Sequence, residues 1–374
     1  MTTGHFDFRW APRIFVAGLS CLMVGGCATK PSPEATLKEN VGPGQWTSRA
    51  QNAVSFALER SFGDESGPVE SLLTRPASVS TDSDQNVYVY DWGAGRIVSF
   101  DSAGVFRWTT YGPGSGPGEL ENASDLIQFR DTLYITNIAG TRIDRFSTDG
   151  QFVDSTPMRE FGRQSGRLLG FESHHVAVIT GQIGTRVGSE ITLFDVAADS
   201  VRTRILAEAP ELDGAPVRTL AKPVNWSGGI VTTGGLASYR HEYYSAEGRL
   251  LRTVTRDVPI VGPSITERGI RNYSGVYAPI RISNKYWIST ASWPINVNDV
   301  VTYENMEPAK RPPLEFRSTI DLFDDSGTLM WSRLIQDGEQ SPFRSVAHVS
   351  SDGRIFTIQD GRVDRLRIEI REPT

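Results

Sequence analysis

Asn86-Val-Tyr-Val-Tyr-Asp91 and Thr132-Leu-Tyr-Ile-Thr-Asn137 are two versions of one stretch, and they begin 46 residues apart. The segments that follow them match as well, Gly95-Arg-Ile-Val-Ser-Phe-Asp-Ser-Ala-Gly104 with Thr141-Arg-Ile-Asp-Arg-Phe-Ser-Thr-Asp-Gly150. Side chains alternate along both copies, as in β-strands that present two different faces. A repeat of about 40 to 50 residues that holds several short strands is typical of a β-propeller blade.

The same rhythm continues along the chain. Turn markers fall at residues 104, 150, 199, 248 and 327, and the long last interval indicates an insertion at about residues 293–313. Six blades of four strands result, but the sixth lacks its outer strand. The strand-like stretch Val54–Phe62 is predicted to supply it and to remove an open sheet edge. The predicted fold is all-β, a six-bladed propeller over residues 51–374 with ring closure by an N-terminal strand; two unrelated β domains are the alternative.

The N-terminus has the pattern of an export signal over residues 1–26. Arg9 and Arg13 precede an apolar run from Ile14 to Gly26, which is shorter than the roughly 20 residues that a membrane span needs. The run ends in Val24-Gly-Gly-Cys27, which resembles a bacterial lipobox and predicts acylation of Cys27. An ordinary secretory signal with a stray cysteine is the alternative. Ala28 after the cysteine indicates the outer membrane, by analogy with lipoprotein sorting in didermic bacteria.

Residues 27–50 are rich in proline, glycine and charged residues and are predicted to be a flexible tether. The net charge of the whole chain is −6, and residues 1–26 contribute +1, so the exported chain carries −7. Such a chain has no basic footprint for nucleic acid. Only Cys21 and Cys27 occur, so the exported chain has no intrachain disulfide.

The first repeat, together with Gly112-Pro-Gly-Ser-Gly-Pro-Gly-Glu119, resembles the bacterial six-bladed propeller lipoproteins with NHL-type and TolB-type repeats. The resemblance covers residues 54–154 well and the remainder by blade rhythm alone. It implies an extracytoplasmic propeller, a fold that hosts binding scaffolds as well as a few hydrolases and lyases. The fold therefore leaves the function open.

Side chains at the ends of strands are the candidate ligand-binding residues. Asp91, Trp92, Asn137, Trp293 and Asp360 each follow an inner-strand pattern, and loops of neighbouring blades converge at a propeller channel. Loop capping by Asx residues and sealing of blade interfaces by tryptophan are the structural alternatives. The glycine-rich stretch 112–119 lacks the Lys-Ser/Thr and helix of a phosphate loop, so we interpret it as a connection.

Catalytic patterns are weak. His174, His175, His241 and His348 show no common blade position, although His348 aligns with Ser78 on a predicted inner strand, so a zinc site is not favoured. No nucleophile elbow is found. We expect a lipid-anchored, monomeric propeller that binds a protein partner or small ligand without catalysis or cofactor. The alternative is a calcium-dependent lactonase-type hydrolase, with Asp91, Asn137 and Asp360 as ligand candidates.

Overall fold

The structure, a computed structural model, describes part of the chain. For those described residues that fall within 167–230, and for 232, 234, 264–266 and 269–271, it describes only the backbone. The described residues are 35–42, 44–46, 53–63, 67–157, 167–172, 175–183, 186–195, 200–208, 211–212, 215–216, 224–226, 229–234, 238–245, 249–262, 264–266, 269–271, 273–277, 279–297, 300–335, 346–359 and 361–372. Cys27 and Asp360 therefore lie outside them.

Nearly all regular structure in these ranges is β. The strands are β1 Thr36–Asn40, β2 Val54–Phe62, β3 Pro76–Thr81, β4 Val87–Asp91, β5 Arg96–Phe100, β6 Phe106–Thr109, β7 Ser124–Phe129, β8 Thr132–Asn137, β9 Arg142–Ser147, β10 Phe152–Pro157, β11 Arg167–Glu172, β12 His175–Ile183, β13 Arg186–Asp195, β14 Ser200–Glu208, β15 Glu211–Leu212, β16 Ala215–Pro216, β17 Val224–Trp226, β18 Gly229–Gly234, β19 Tyr239–Ser245, β20 Leu250–Arg256, β21 Ser264–Thr266, β22 Gly269–Arg271, β23 Gly275–Val276, β24 Ile280–Arg281, β25 Tyr286–Pro294, β26 Phe316–Asp324, β27 Leu329–Ile335, β28 Val346–Val349, β29 Ile355–Gln359 and β30 Arg362–Ile370. The helical elements are α1 Val300–Asn305 and two 3-10 turns, Val69–Ser71 and Pro308–Lys310.

Within the described ranges, the strands form six sheets of four or five strands and two small hairpins. We number the sheets along the chain: sheet 1 is β3–β6, sheet 2 is β7–β10, sheet 3 is β11–β14, sheet 4 is β17–β20 with β1, sheet 5 is β23–β27, and sheet 6 is β28–β30 with β2. Neighbouring strands are antiparallel, except that β1 pairs in parallel with β20, and sheets 1–3 are meanders of consecutive strands. The prediction of an all-β chain built from four-stranded antiparallel sheets is confirmed.

The outer strand of sheet 6 comes from the start of the described chain. β2 pairs antiparallel with β30, from Val54 opposite Ile370 to Phe62 opposite Val363. Glu59 in β2 also forms ion pairs with Arg354 at 2.7 Å and Arg365 at 3.3 Å. Val54–Phe62 is therefore a strand with the bounds that its alternation predicts.

The core lies between the faces of neighbouring sheets. Val87 and Val89 of β4 pack with Phe356 and Val363 of sheet 6, whereas Tyr88 and Tyr90 pack with sheet 2. The alternation of β4 thus separates two buried faces, and all five of its residues are buried. Two further apolar clusters lie between sheets 4 and 5 and between sheets 5 and 6. Burial on both faces explains why β4 has only one charged residue, Asp91.

One turn recurs between strands and has an Asp or Ser first and a glycine fourth. In Asp101–Gly104, the Asp101 carboxylate accepts from Ala103 N at 2.9 Å and Val105 N at 2.8 Å. Gly104, Gly150, Gly327 and Gly353 have φ of +82°, +82°, +84° and +82°, a region that favours glycine. The spacing of glycines in the sequence therefore reports a backbone requirement of this turn.

These turns contact a neighbouring sheet. A Cβ on Gly150 would lie 2.6 Å from the ring of Trp108 in β6, one on Gly104 would lie 2.8 Å from Arg60 in β2, and one on Gly327 would lie 2.4 Å from Val254 in β20. The second residue of the same turns accepts a hydrogen bond from that sheet. The three bonds are Trp108 Nε1 to Thr148 O (3.0 Å), Arg365 Nη1 to Ser102 O (3.1 Å) and Arg252 Nη1 to Asp325 O (2.7 Å).

One feature differs from the sequence-based expectation. The predicted tether of residues 27–50 contains β1, and Asn40 is held by Thr255 O, Gly327 O and Leu329 N at 2.7–3.1 Å. Residues 295–315, which connect β25 and β26, overlap the predicted insertion of about residues 293–313 and include α1. The described part of the chain has no helix that is both long and apolar enough to cross a membrane.

Candidate functional site

Asp91 ends β4 and holds the chain that leads into β3. Its carboxylate accepts hydrogen bonds from Thr74 N at 2.9 Å and Arg75 N at 2.6 Å, and the residue is fully buried. Asp91 therefore satisfies two backbone donors that would otherwise lack a partner. It fixes the segment before β3 against the turn between β4 and β5.

Asn137 does the same one repeat later. Its Oδ1 accepts from Glu121 N and Ile138 N, both at 2.8 Å, and its Nδ2 donates to Glu119 O at 2.9 Å. It is also fully buried and bonds to Asp144 in β9. The sequence repeat thus reproduces a structural bond pattern, and the interior bonds of both residues correspond to the loop-capping alternative.

Sheets 1 and 2 are aligned so that these two turns lie at the same edge. Ser78 Oγ in β3 accepts from Leu126 N in β7 at 3.0 Å, and Ser80 Oγ accepts from Gln128 N at 2.8 Å. Both positions advance by two residues, so β3 and β7 run in the same direction. Because the sheets have the same strand order, the connections β4–β5 and β8–β9 lie at one edge, which we call the turn edge.

Three exposed side chains lie at the turn edge of sheet 1. Trp92 follows Asp91 and is 46% exposed, and the Arg75 guanidinium lies 4.6 Å from its ring centroid. Tyr111 is 77% exposed and follows Thr110, whose N–H donates to Ile97 O at 3.0 Å, just beyond the β4–β5 turn. Pro113 packs on Gly95 of that turn. An arginine, a tryptophan and a tyrosine therefore remain accessible here.

The glycine-rich loop 112–119 connects sheets 1 and 2 at the same edge. Glu119 Oε2 accepts from Gly116 N at 2.9 Å, and a Cβ on Gly114 would overlap that carboxylate. Arg142 donates to the carbonyls of Ser115 and Gly116. The loop is folded over an acidic side chain and tied to β9, as expected of a connection rather than a phosphate site.

The remaining predicted site residues are placed differently. Trp293 in β25 is 5% exposed and lies in the core cluster between sheets 4 and 5, and its strand leads into the insertion 295–315. That connection joins the second and third strands of sheet 5, as the turns after Asp91 and Asn137 do in their sheets. Asp360 lies outside the described residues. The grouping of all five side chains around one opening stays a prediction.

Two histidines are described with their side chains, and each has a structural partner. His348 in β28 bonds through Nε2 to Thr81 Oγ1 of β3 at 2.8 Å, and burial lowers its pKa to about 4. His241 in β19 bonds to Ser289 Oγ in β25 at 2.9 Å. Among the described side chains, no three His, Cys, Asp or Glu residues are grouped so that they could hold a metal ion.

A buried polar cluster between sheets 4 and 5 includes His241 and Ser289. Ser289 Oγ donates to Tyr277 O at 3.1 Å, so His241 Nε2–H donates to Ser289 and Nδ1 carries the lone pair. Burial lowers the pKa of His241 to about 3, which keeps the ring neutral. Because His241 is fully buried and Ser289 almost so, this pair cannot meet a substrate and is not a catalytic dyad.

Asp321 and Arg256 extend this cluster. The Asp321 carboxylate accepts from Thr319 Oγ1 at 2.8 Å and lies 3.7 Å from Arg256 Nε. Burial raises the pKa of Asp321, and the Arg256 charge opposes this shift. This cluster was not predicted from the sequence. Along β19, Tyr239, His241, Tyr243 and Ser245 are buried and alternate with more exposed residues, a pattern that could have indicated that His241 points inward.

No protein-family profile and no curated protein matches the chain. Solved structures with a similar fold include a member of the DUF4221 family from Bacteroides vulgatus, with a TM-score of 0.54, 10% identity, and coverage of 86% of this chain and 100% of the other. A presumptive exported protein from Bacteroides fragilis has the same score and identity, with 90% and 100% coverage. The β-propeller domain of Cps50 (Swd1) from Myceliophteria thermophila is less similar, with a TM-score of 0.38, 11% identity, and coverage of 83% of this chain and 99% of the other. At these identities the likeness concerns the fold alone.

Proposed function

We propose that this chain is a six-bladed β-propeller, held in the cell envelope by acyl groups on Cys27, that binds a protein partner at the turn edge without catalysis. The observation that carries the binding role is the accessible set of Arg75, Trp92 and Tyr111 at that edge. Tryptophan, tyrosine and arginine are the residue types that dominate binding energy at protein interfaces.

Contacts between neighbouring sheets support the propeller. The first strands of sheets 6, 1, 2, 3 and 4 are neighbours in that order, which is the arrangement of inner strands in a propeller. Six sheets of four or five strands then correspond to six blades.

Ring closure is supported by the contacts of the turns of sheets 1, 2 and 5 with strands of their neighbouring sheets. The turn of sheet 2 contacts β6, the outer strand of sheet 1, and accepts the Trp108 bond. The turn of sheet 5 is seated in the same way on β20 of sheet 4. The turn of sheet 1 is seated on β2 and accepts the Arg365 bond, so sheet 6 precedes sheet 1 as one blade precedes the next. A blade junction that joins the last sheet to the first is what a closed ring requires.

The chemistry of the turn edge favours a protein over a small polar ligand. Asp91 and Asn137 use their oxygens on backbone N–H groups, so they offer little to a ligand or a cation. The accessible groups are instead an aromatic face with a stacked guanidinium and a second aromatic ring. Such side chains provide large contact areas at small cost in side-chain entropy.

Extracytoplasmic location is supported by the signal pattern that ends at Cys27 and agrees with the likeness to a presumptive exported protein. We propose the outer membrane, because Ala28 follows the acylated cysteine. Two or more acyl chains would give stable attachment, since each buried methylene contributes about 0.8 kcal/mol.

Photo-crosslinking tests the binding face. A photoreactive phenylalanine analogue replaces Trp92 or Tyr111 in the anchored protein, and Val153 in β10, which is exposed and apolar, provides the control position. After irradiation of intact envelopes, we expect one adduct of discrete mass from the two turn-edge positions and none from position 153. Excess purified Trp92→Ala/Arg75→Ala protein should compete less well than the unchanged protein.

Equal adducts at all three positions, or none at the turn edge, would contradict the proposal. Stoichiometric calcium in the purified protein, with activity on lactones that a chelator removes, would favour the hydrolase instead.

A further inference from the structure

Residues 35–42 and 44–46 form a strap along the outside of sheets 4 and 5. β1 pairs with β20 from Thr36 opposite Arg252 to Asn40 opposite Arg256. Beyond it, Gln45 N and Trp46 N donate to the carbonyls of Leu329 and Met330 at 3.1 and 2.6 Å. Trp46 also packs edge-to-face on Tyr286, with ring centroids 5.8 Å apart. The strap is therefore bonded to two sheets along most of its length.

The strap shortens the chain between the propeller and Cys27. Nine residues lead from Cys27 to Thr36, and a fully extended chain spans at most about 3.6 Å per residue, or about 32 Å in all. Without the strap, the chain from Cys27 to β2 would be three times as long, 27 residues to Val54. An acylated Cys27 would thus hold the β1 side of sheet 4 within about 32 Å of the lipid anchor.

The β1 side exposes apolar side chains. Leu37 is 62% exposed in β1, Val41 follows the strand and is more exposed still, and Leu251 is 41% exposed in β20. Leu37 is the partner of Thr253, and Leu251 lies two residues before Thr253 at a bulge in β20, so both leucines lie near the edge of sheet 4 that β1 forms. The strap therefore exposes apolar side chains close to the segment that connects it to Cys27.

We propose that the β1 side, through Leu37, Val41 and Leu251, rests on the lipid surface and orients the propeller on its membrane. The inference rests on the proposed anchor at Cys27 and adds a defined orientation. Apolar side chains at the level of the headgroups gain hydrophobic energy on top of that of the acyl chains. The occupant is a bilayer, because chain length places one there. The alternative occupant is a second copy of the chain, paired with β1 along the edge that does not face β20, and the test must distinguish this dimer from contact with a bilayer.

An environment-sensitive fluorophore tests the orientation. Acylation blocks Cys27 and the signal removes Cys21, so Leu37→Cys, Leu251→Cys and Val153→Cys each give one labelling site in the lipidated protein. Val153 is 55% exposed in β10 of sheet 2, which makes it a matched control. The labelled proteins are reconstituted into vesicles of phosphatidylethanolamine and phosphatidylglycerol, and flotation and fluorescence are measured on the same sample.

We expect all three proteins to float with the vesicles. The emission at positions 37 and 251 should shift to shorter wavelength relative to the same cysteine variants of an unacylated chain that begins at Ala28, measured without vesicles, and the emission at 153 should stay unchanged. Flotation without a shift at 37 and 251, or with an equal shift at all three positions, overturns the orientation and leaves the anchor intact. Failure to float overturns the anchor together with the orientation. A shift at 37 in the unacylated chain that begins at Ala28, if it grows with protein concentration, identifies a second copy as the occupant and overturns the inference.

Discussion

His241 should make the stability of this protein depend on pH in a way that one substitution removes. The ring is fully buried between Tyr239 and Trp287, with centroids 5.3 and 5.4 Å away, and burial lowers its pKa to about 3. In the unfolded chain the same ring titrates near 6.5. Below pH 6.5 the unfolded chain therefore binds a proton that the folded protein does not, so stability falls as the pH falls.

The magnitude follows from these two pKa values. With 6.5 unfolded and about 3 folded, protonation of His241 in the unfolded chain should cost about 2 kcal/mol of stability between pH 7.5 and pH 5. At pH 5 this figure depends little on the folded value, because the folded ring is still neutral there. His348, whose pKa burial lowers to about 4, acts in the same direction, and Asp321, whose pKa burial raises, acts in the opposite one.

His241→Gln isolates the contribution of this ring. The glutamine amide N–H can replace the donor to Ser289, and the side chain does not titrate, whereas His348 and Asp321 are present in both proteins. We expect the free energy of unfolding, measured by urea titration at pH 7.5 and 5, to fall by about 2 kcal/mol more in the unchanged protein than in the variant. Equal losses in the two proteins, with cooperative unfolding of both, would show that His241 is protonated in the fold or accessible to water.

Four further outcomes are expected. Gly327→Ala should destabilise by about 1–3 kcal/mol, because φ is +84° and the new Cβ would overlap the preceding sheet, whereas Gly112→Ala, with open space around it, should change the unfolding free energy by less than about 0.5 kcal/mol. Asp91→Ala should cost about 2–4 kcal/mol in chemical denaturation, because two backbone N–H groups lose their acceptor; an unchanged midpoint would contradict this role. Deletion of residues 51–62 should expose the edge of β30 and cause aggregation, and a monomeric deletion variant with the original melting temperature would refute closure. Cys27→Ser should abolish acyl labelling and release the protein from membranes, and unchanged fractionation would exclude the anchor.

The sequence predicts the strands well where side-chain alternation and turn chemistry agree. Val54–Phe62 and the two repeats of 86–104 and 132–150 have both signals, and their strands have nearly the expected bounds. β1 was missed because Thr36–Asn40 has no alternation to show, and its strand is stabilised by Asn40 bonds to residues more than 200 positions away. Local patterns do not contain such contacts.

The candidate site is harder to predict. The side-chain oxygens of an Asp or Asn at the end of a strand can accept hydrogen bonds from a turn or bind a ligand, and the sequence pattern is the same in both cases. The sequence correctly marks Asp91 and Asn137 as equivalent, but only coordinates show that neighbouring N–H groups occupy them. For tryptophan the limit is similar. Trp92 and Trp293 both end strands, yet one is exposed beside Arg75 and the other is packed between two sheets.

The pairing of β2 with β30 has a consequence for the order in which the chain folds. β2 leaves the ribosome long before its partner β30; Ser61 and Asp364, which are hydrogen-bonded at 2.6 Å, are 303 positions apart. Long sequence separation delays contact formation, because the loop entropy is lost before the contact is gained. Until β30 is synthesised, the edge of β2 that pairs with it has no partner. A chaperone that covers extended apolar strands would act on this protein during that interval.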